Sequence, residues 1–329
     1  NLSLRAYLLY KVSFTNMKKG VIVVLAIIVL SIVSFFPVTQ NSTINVSANF
    51  DNTLRQVMHI ENWKNWFPAI QEAYKKTPDD YRIKKDSAQK IDTIFFPDKK
   101  FIIHALSPMS YEVNESEGHE QNNFAFTVFP GGNSHRMDIY LVNKTPFIYT
   151  LISNKRPGED AMIALRSYLE DPKELYGFNI QMAEIRDPVI ASLLTKIKKE
   201  DLFVRIQSAH KELMDYLSSN GLIKTGHVSI SYIPIMGDSL QLTVGIPVNK
   251  IAASAKGIEC LSLPPKGRVL VGDYEGRFSE RNEIYHAMTK YLTDHTLSIP
   301  AESFERYLND SIPTSDSSMI RIELDYPVY

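Results

Sequence analysis

The feature that most constrains this chain is a supersecondary unit written twice in its C-terminal half. Asp201 to Ser219 carries Leu202, Ile206, Ala209, Leu213 and Leu217 on one helical face, and Ser279 to His295 repeats the pattern with Ile284, Met288, Tyr291 and Leu292. Two strand patterns follow each helix: 227–233 and 240–248 after the first, 302–308 and 319–328 after the second. A strand candidate precedes each helix, at 188–196 and 267–274. The unit β-α-β-β therefore recurs at an offset of about 75 to 80 residues, and two such halves pair naturally about a pseudo-twofold axis. Alternating Leu240, Leu242, Val244 and Ile246, and again Ile320, Ile322, Leu324 and Tyr326, mark the strand face packed on the helices. The other face of the last strand then carries Arg321, Glu323 and Asp325, and lines a groove between the halves.

Four motifs within 179–329 carry a family resemblance: Gly245-Ile246-Pro247-Val248, Leu263-Pro264-Pro265-Lys266-Gly267-Arg268-Val269, Tyr274-Glu275-Gly276-Arg277-Phe278 and Ile322-Glu323-Leu324-Asp325-Tyr326-Pro327-Val328. Together they resemble the GyrI-like, or AraC-type effector-binding, domain over the whole of that region. The resemblance implies a central groove for amphipathic, aromatic or cationic small molecules, with an acidic residue of the last strand at its base. By motif position that residue is Glu323, and Tyr274 matches the aromatic of the family's Tyr-x-Gly segment; Tyr232 and Tyr307 complete the candidate ligand-binding set. A carboxylate on an apolar floor is costly to bury unless a cation or hydrogen-bond donors meet it. A ligand cation meets that need, and tyrosine rings add a cation–π attraction of about 0.5–2 kcal/mol. The solvated alternative pairs Glu323 with Arg321 or Arg268 and leaves the three tyrosines as core aromatics. The same resemblance implies a second function class, because some GyrI-like proteins hydrolyse reactive electrophilic small molecules: Glu323 would then act as base or nucleophile and Tyr274 as proton donor.

The region 43–178 reads differently. Ile44, Val46, Ala48 and Phe50 alternate as a strand, Asp51 offers a helix N-cap, and Leu54, Val57, Met58 and Trp63 recur at helical spacing. Strand-like runs follow at 91–96, 101–106, 110–114, 123–129, 136–142 and 147–152, and a helical pattern from Asp160 to Leu175 closes the region. From Ile44-Asn45-Val46 through Trp63-Lys64-Asn65-Trp66-Phe67-Pro68 the chain resembles the opening of the SRPBCC (polyketide-cyclase and START-related) superfamily. That likeness implies a helix-grip domain whose curved antiparallel sheet encloses an apolar pocket. Trp63 and Trp66 read as core and lid packing.

Residues 20–38 form an apolar stretch with no charged residue, preceded by Lys18 and Lys19 and followed by a flank, Thr39 to Asn49, without Lys or Arg. Val21 to Phe36 rises about 24 Å as a helix, so 20–38 approaches a spanning length. The charge asymmetry places 1–19 in the cytoplasm and everything after the stretch outside it, periplasmic in a Gram-negative cell. A signal peptide starting at Met17 exports the remainder equally, although no small-x-small site closely follows the apolar run.

Composition then closes several classes. With 36 Lys plus Arg against 37 Asp plus Glu, the net charge of −1 gives no basic surface for nucleic acid. A single cysteine, Cys260, excludes an internal disulfide and a Cys-based zinc site. The eight histidines lack metal-ligand spacing, and there is no Gly-rich phosphate loop, nucleophile elbow or HExxH motif. No cofactor and no metal are expected. The expectation is an α+β chain of two folded units behind a membrane segment, binding a small amphipathic molecule, with protein partners unspecified.

Overall fold

The computed structural model describes residues 36–118, 120–132, 136–146, 158–264, 266–308 and 312–329. The chain is a mixed α+β protein with two antiparallel sheets, and it divides into two compact units between Tyr168 and Leu169. Of the apolar segment expected at 20–38, only Phe36–Val38 fall among the described residues, and Pro37 and Val38 open the first strand there. No helix among the described residues is long and apolar enough to cross a membrane. The strand pattern at 147–152 also lies outside the described residues.

The first unit begins with β1 (Pro37–Val46), followed by α1 (Phe50–Met58), α2 (Trp63–Trp66) and α3 (Pro68–Lys76). Asn49 caps α1, its side chain accepting the N–H groups of Asp51 and Asn52; Asp51, read from sequence as the cap, lies in the first turn instead. Six strands follow: β2 (Arg82–Asp86), β3 (Ile91–Phe95), β4 (Lys99–Ser107), β5 (Ser110–Glu117), β6 (Glu120–Pro130) and β7 (Met137–Pro146). The sheet order is β1-β7-β6-β5-β4-β3-β2. Its core is aromatic: Trp63 is fully buried, stacks on Phe67 at 5.7 Å, and meets Tyr111 and Phe126 at 6.2 and 6.0 Å. Its indole N–H donates to the Val57 carbonyl at 2.8 Å, which makes burial of the polar edge affordable. The helix expected from Asp160 to Leu175 is two helices, α4 (Glu159–Glu170), within which the division between the units falls, and α5 (Pro172–Tyr176), which belongs to the second unit. Asp171 caps the second and Pro172 cannot continue the first.

The second unit carries the repeat. Its elements are β8 (Ile180–Glu184), β9 (Val189–Lys198), α6 (Leu202–Ser219), β10 (Val228–Ile235), β11 (Ser239–Pro247), β12 (Ile258–Ser262), β13 (Arg268–Arg277), α7 (Asn282–Asp294), β14 (Phe304–Tyr307) and β15 (Met319–Pro327). The sheet runs β12-β9-β11-β10-β14-β15-β13-β8. Outward from its centre it reads β10, β11, β9, β12 on one side and β14, β15, β13, β8 on the other, so the two halves correspond strand for strand. The central pair β10–β14 is antiparallel, with Val228 opposite Tyr307 and Ile230 opposite Glu305. Gly272 fixes which face of the sheet carries α7. A Cβ there falls 2.7 Å from Met288 Sδ and 3.0 Å from Ile284 Cδ1 of that helix, so the backbone approaches too closely for a side chain.

Candidate functional site

Directly opposed residues in antiparallel strands share a face. Gly272 opposes Leu324, and Leu324 opposes Glu305, so Glu305 points to the helix-bearing face, as do Tyr307 and Tyr232. Glu305 has no exposed surface. Its Oε1 accepts Arg281 Nε at 2.9 Å and the Tyr285 hydroxyl at 2.8 Å; its Oε2 accepts the Tyr307 hydroxyl at 2.5 Å. Tyr307 lies 2.9 Å from the Tyr232 hydroxyl, and since Tyr307 donates to the carboxylate, Tyr232 donates to Tyr307. Burial first, then the Glu305 charge, push the Tyr285 phenol well above its ordinary range; burial and the same charge also raise Tyr232 and Tyr307. The three phenols therefore stay protonated and available to donate.

Arg281 closes the cluster. It stands at the start of α7, after a turn at Phe278–Glu280. Its guanidinium carbon lies 3.5 Å from the Phe278 ring centroid and 5.0 Å from that of Tyr232, and its Nη1 donates to the Phe278 carbonyl at 2.9 Å. Phe203 of α6 meets Phe278 edge-on at 5.3 Å. Burial, the largest single influence, pulls the guanidinium down, but the Glu305 charge and hydrogen bond together with Tyr232 and Tyr307 turn the net direction up. The result is an aromatic cage with a buried carboxylate at its base and a cation in it.

The four residues singled out from sequence do not converge. Tyr232 and Tyr307 meet in this cluster. Tyr274 shares their face by its register with Ile322, yet its hydroxyl turns back to the Arg277 carbonyl at 2.7 Å, lying over Gly276. Glu323 points to the opposite face, where its Oε2 accepts Arg306 Nη1 at 3.1 Å and its Oε1 accepts Arg186 Nη1 at 3.2 Å. Neither Arg321 nor Arg268 is among its ion-pair partners in the described residues; Arg321 pairs with Glu275 at 3.9 Å. Glu323 and Tyr274 thus lie on opposite faces of one sheet and cannot act on one bond.

Arg306 also binds the fully buried Asp325, whose Oδ1 has no hydrogen-bond partner among the described residues. Burial raises the Asp325 carboxyl to about 7, against the pull of Arg306.

Sequence reasoning passed over Glu305, Arg281 and Tyr285. The signal for Glu305 lay in Phe304-Glu305-Arg306-Tyr307: if Tyr307 faces inward, so does Glu305. Arg281 had no such signal, because a helix-start position says nothing about which strand its side chain reaches.

No family model matches the chain. Nor does any curated relative. Among solved structures, the C-terminal domain of EcmrR is 15% identical at a TM-score of 0.37, covering 46% of this chain and 98% of that one. SAV2435, solved bound to tetraphenylphosphonium, is 13% identical at a TM-score of 0.32, covering 46% and 94%. A hydrolase from Listeria innocua is 11% identical at a TM-score of 0.33, covering 46% and 91%.

The first unit holds a half-open cavity of about 280 Å³ among Val57, Ile60, Trp63, Ile103 and Tyr111, with Asp92 in its wall. No group of three or more His, Cys, Asp or Glu residues among those described is placed to hold a metal ion.

Proposed function

We propose that the second unit binds a small amphipathic, aromatic molecule on its helix-bearing face. Glu305 anchors the polar end, and Phe278, Tyr232 and Tyr307 provide the apolar and π surface. The carrying observation is the fully buried Glu305 carboxylate, held by two phenols and a guanidinium within an aromatic cage. A buried ion pair adds little net stability over apolar residues of similar volume, so one placed at the centre of a pseudo-symmetric sheet fits a binding role better than a purely structural one. The role expected for Glu323 passes in this reading to Glu305, with Tyr232 and Tyr307 retained and Tyr274 left outside the cage. The unit is read as GyrI-like and the first as SRPBCC-like, and the apolar segment at 20–38 as an anchor that holds both outside the cytoplasm.

The test is a thermal-shift titration of the full chain with benzamidinium and with neutral benzamide, repeated on Tyr232→Ala. Stabilisation by the cation, weakened at least tenfold in midpoint concentration by the substitution, is the expected result. An unchanged midpoint removes the cage from the binding site.

A further inference from the structure

Arg281 occupies the position that a ligand's charge requires in this site. Its Nε meets Glu305, its planar group lies against Phe278, and Tyr232 forms a second wall. Its side chain retains 16% exposure while Glu305 has none, so Arg281 is the member of the pair that meets solvent and it covers the carboxylate. A guanidinium has five N–H donors. Its hydrogen bonds to side chains and carbonyls of the described residues use Nε, toward Glu305, and Nη1, toward Phe278.

We infer that Arg281 is the site's resident cation, an internal competitor that sets ligand class: the ligand is a planar, delocalised monocation that displaces it and takes over Glu305. This rests on the binding role proposed above for the same cage. The chemistry restricts the occupant. An anion meets the uncompensated Glu305 carboxylate. A neutral molecule that expels Arg281 leaves that carboxylate buried and unpaired, the most expensive arrangement available. A cation that arrives as Arg281 leaves keeps the charge balance at every stage, and a flat one keeps the contact with Phe278 that the guanidinium already makes. Arylamidinium, arylguanidinium and cationic N-heteroaromatic groups meet these conditions. Because the free protein is filled by its own side chain, apparent affinity is lowered by the fraction of molecules in which Arg281 is out.

The experiment uses the full chain, as parent, Arg281→Ala and Arg281→Met, with benzamidinium as probe and benzamide as its neutral counterpart, followed by calorimetry. Arg281→Met retains an apolar stem against Phe278 and covers the case in which Arg281→Ala does not fold, with far-UV circular dichroism as the check. Methylguanidinium is added in thermal unfolding as a direct replacement for the missing group. Benzamidinium is expected to bind the variants at least tenfold more tightly than the parent, benzamide to bind none of them, and methylguanidinium to raise the unfolding temperature of the variants alone. Loss of that rescue in Arg281→Met combined with Glu305→Gln would tie it to the carboxylate. Equal benzamidinium affinity in parent and variants overturns the competition while leaving the cage as a binding site. Tighter binding by the parent makes Arg281 a ligand contact and overturns it as well. No binding to any of the proteins overturns both this inference and the reading beneath it.

Discussion

Asp325 offers a quantitative test of how charge is balanced on the face of the second sheet opposite its helices. Its carboxyl is fully buried, touches Arg306, and is raised from 3.8 to about 7, with burial the main cause and Glu323 and Asp187 adding to it. Arg306 and Arg186 act the other way without overcoming it. A folded value above the unfolded one means that the native state holds its proton longer. The contribution to stability is full below about pH 3.8 and is lost as pH rises to about 7, where both states are ionised. At about 1.4 kcal/mol per tenfold change, the ceiling on that loss is about 4 kcal/mol. Asp325→Asn removes the titration and keeps an acceptor for Arg306. The variant is expected to be more stable than the parent above pH 7 and to lose the parent's decline between pH 4 and 7. Urea unfolding at intervals across pH 4–9 measures this. Both tryptophans, Trp63 and Trp66, lie in the first unit, so far-UV circular dichroism and tyrosine fluorescence must follow the second. An Asp325→Asn chain less stable than the parent at pH 8 refutes the reasoning, because it means the Arg306 pairing outweighs burial.

Three further substitutions probe the packing that positions the site. Tyr307→Phe deletes one donor to a fully buried carboxylate oxygen and is expected to cost about 1.5–3 kcal/mol in urea unfolding; no change would mean that water replaces the phenol. Gly272→Val forces methyl groups against Met288 and Ile284 and is expected to cost about 1–3 kcal/mol, seen as a lowered unfolding midpoint of the second unit. Trp63→Ala empties the aromatic core of the first unit at an expected cost of about 3–5 kcal/mol, and scanning calorimetry should show the loss in one of two transitions.

The sequence made much of this fold legible, for identifiable reasons. The repeated unit stood out because α6, α7, β11 and β15 each bury one face against the same core, and burial on one face imposes a period. The strands β8 and β12 escaped because edge strands of five residues bury too little to impose one: Ile180 is the buried residue of β8, and Ile258 that of β12. Asp171-Pro172 was a readable break in the helical pattern that apolar spacing concealed. The site was harder. Alternation along β15 correctly set Glu323 apart from Ile322 and Leu324, yet it could not say that Tyr274 opposes Ile322 or that Glu305 opposes Leu324. Register between strands decides which side chains share a face, and one strand's pattern does not contain it. Arg281 adds a second case, a long side chain reaching from a helix start across to a strand.

The most direct test of the central claim is a crystal structure of the chain grown with benzamidinium. The account predicts the bound cation against Phe278 and Tyr232, with an amidinium nitrogen within hydrogen-bond distance of Glu305 and the Arg281 side chain turned out. A cation bound on the opposite face, against Glu323 and Asp325, with the Arg281–Glu305 pair intact, would contradict it.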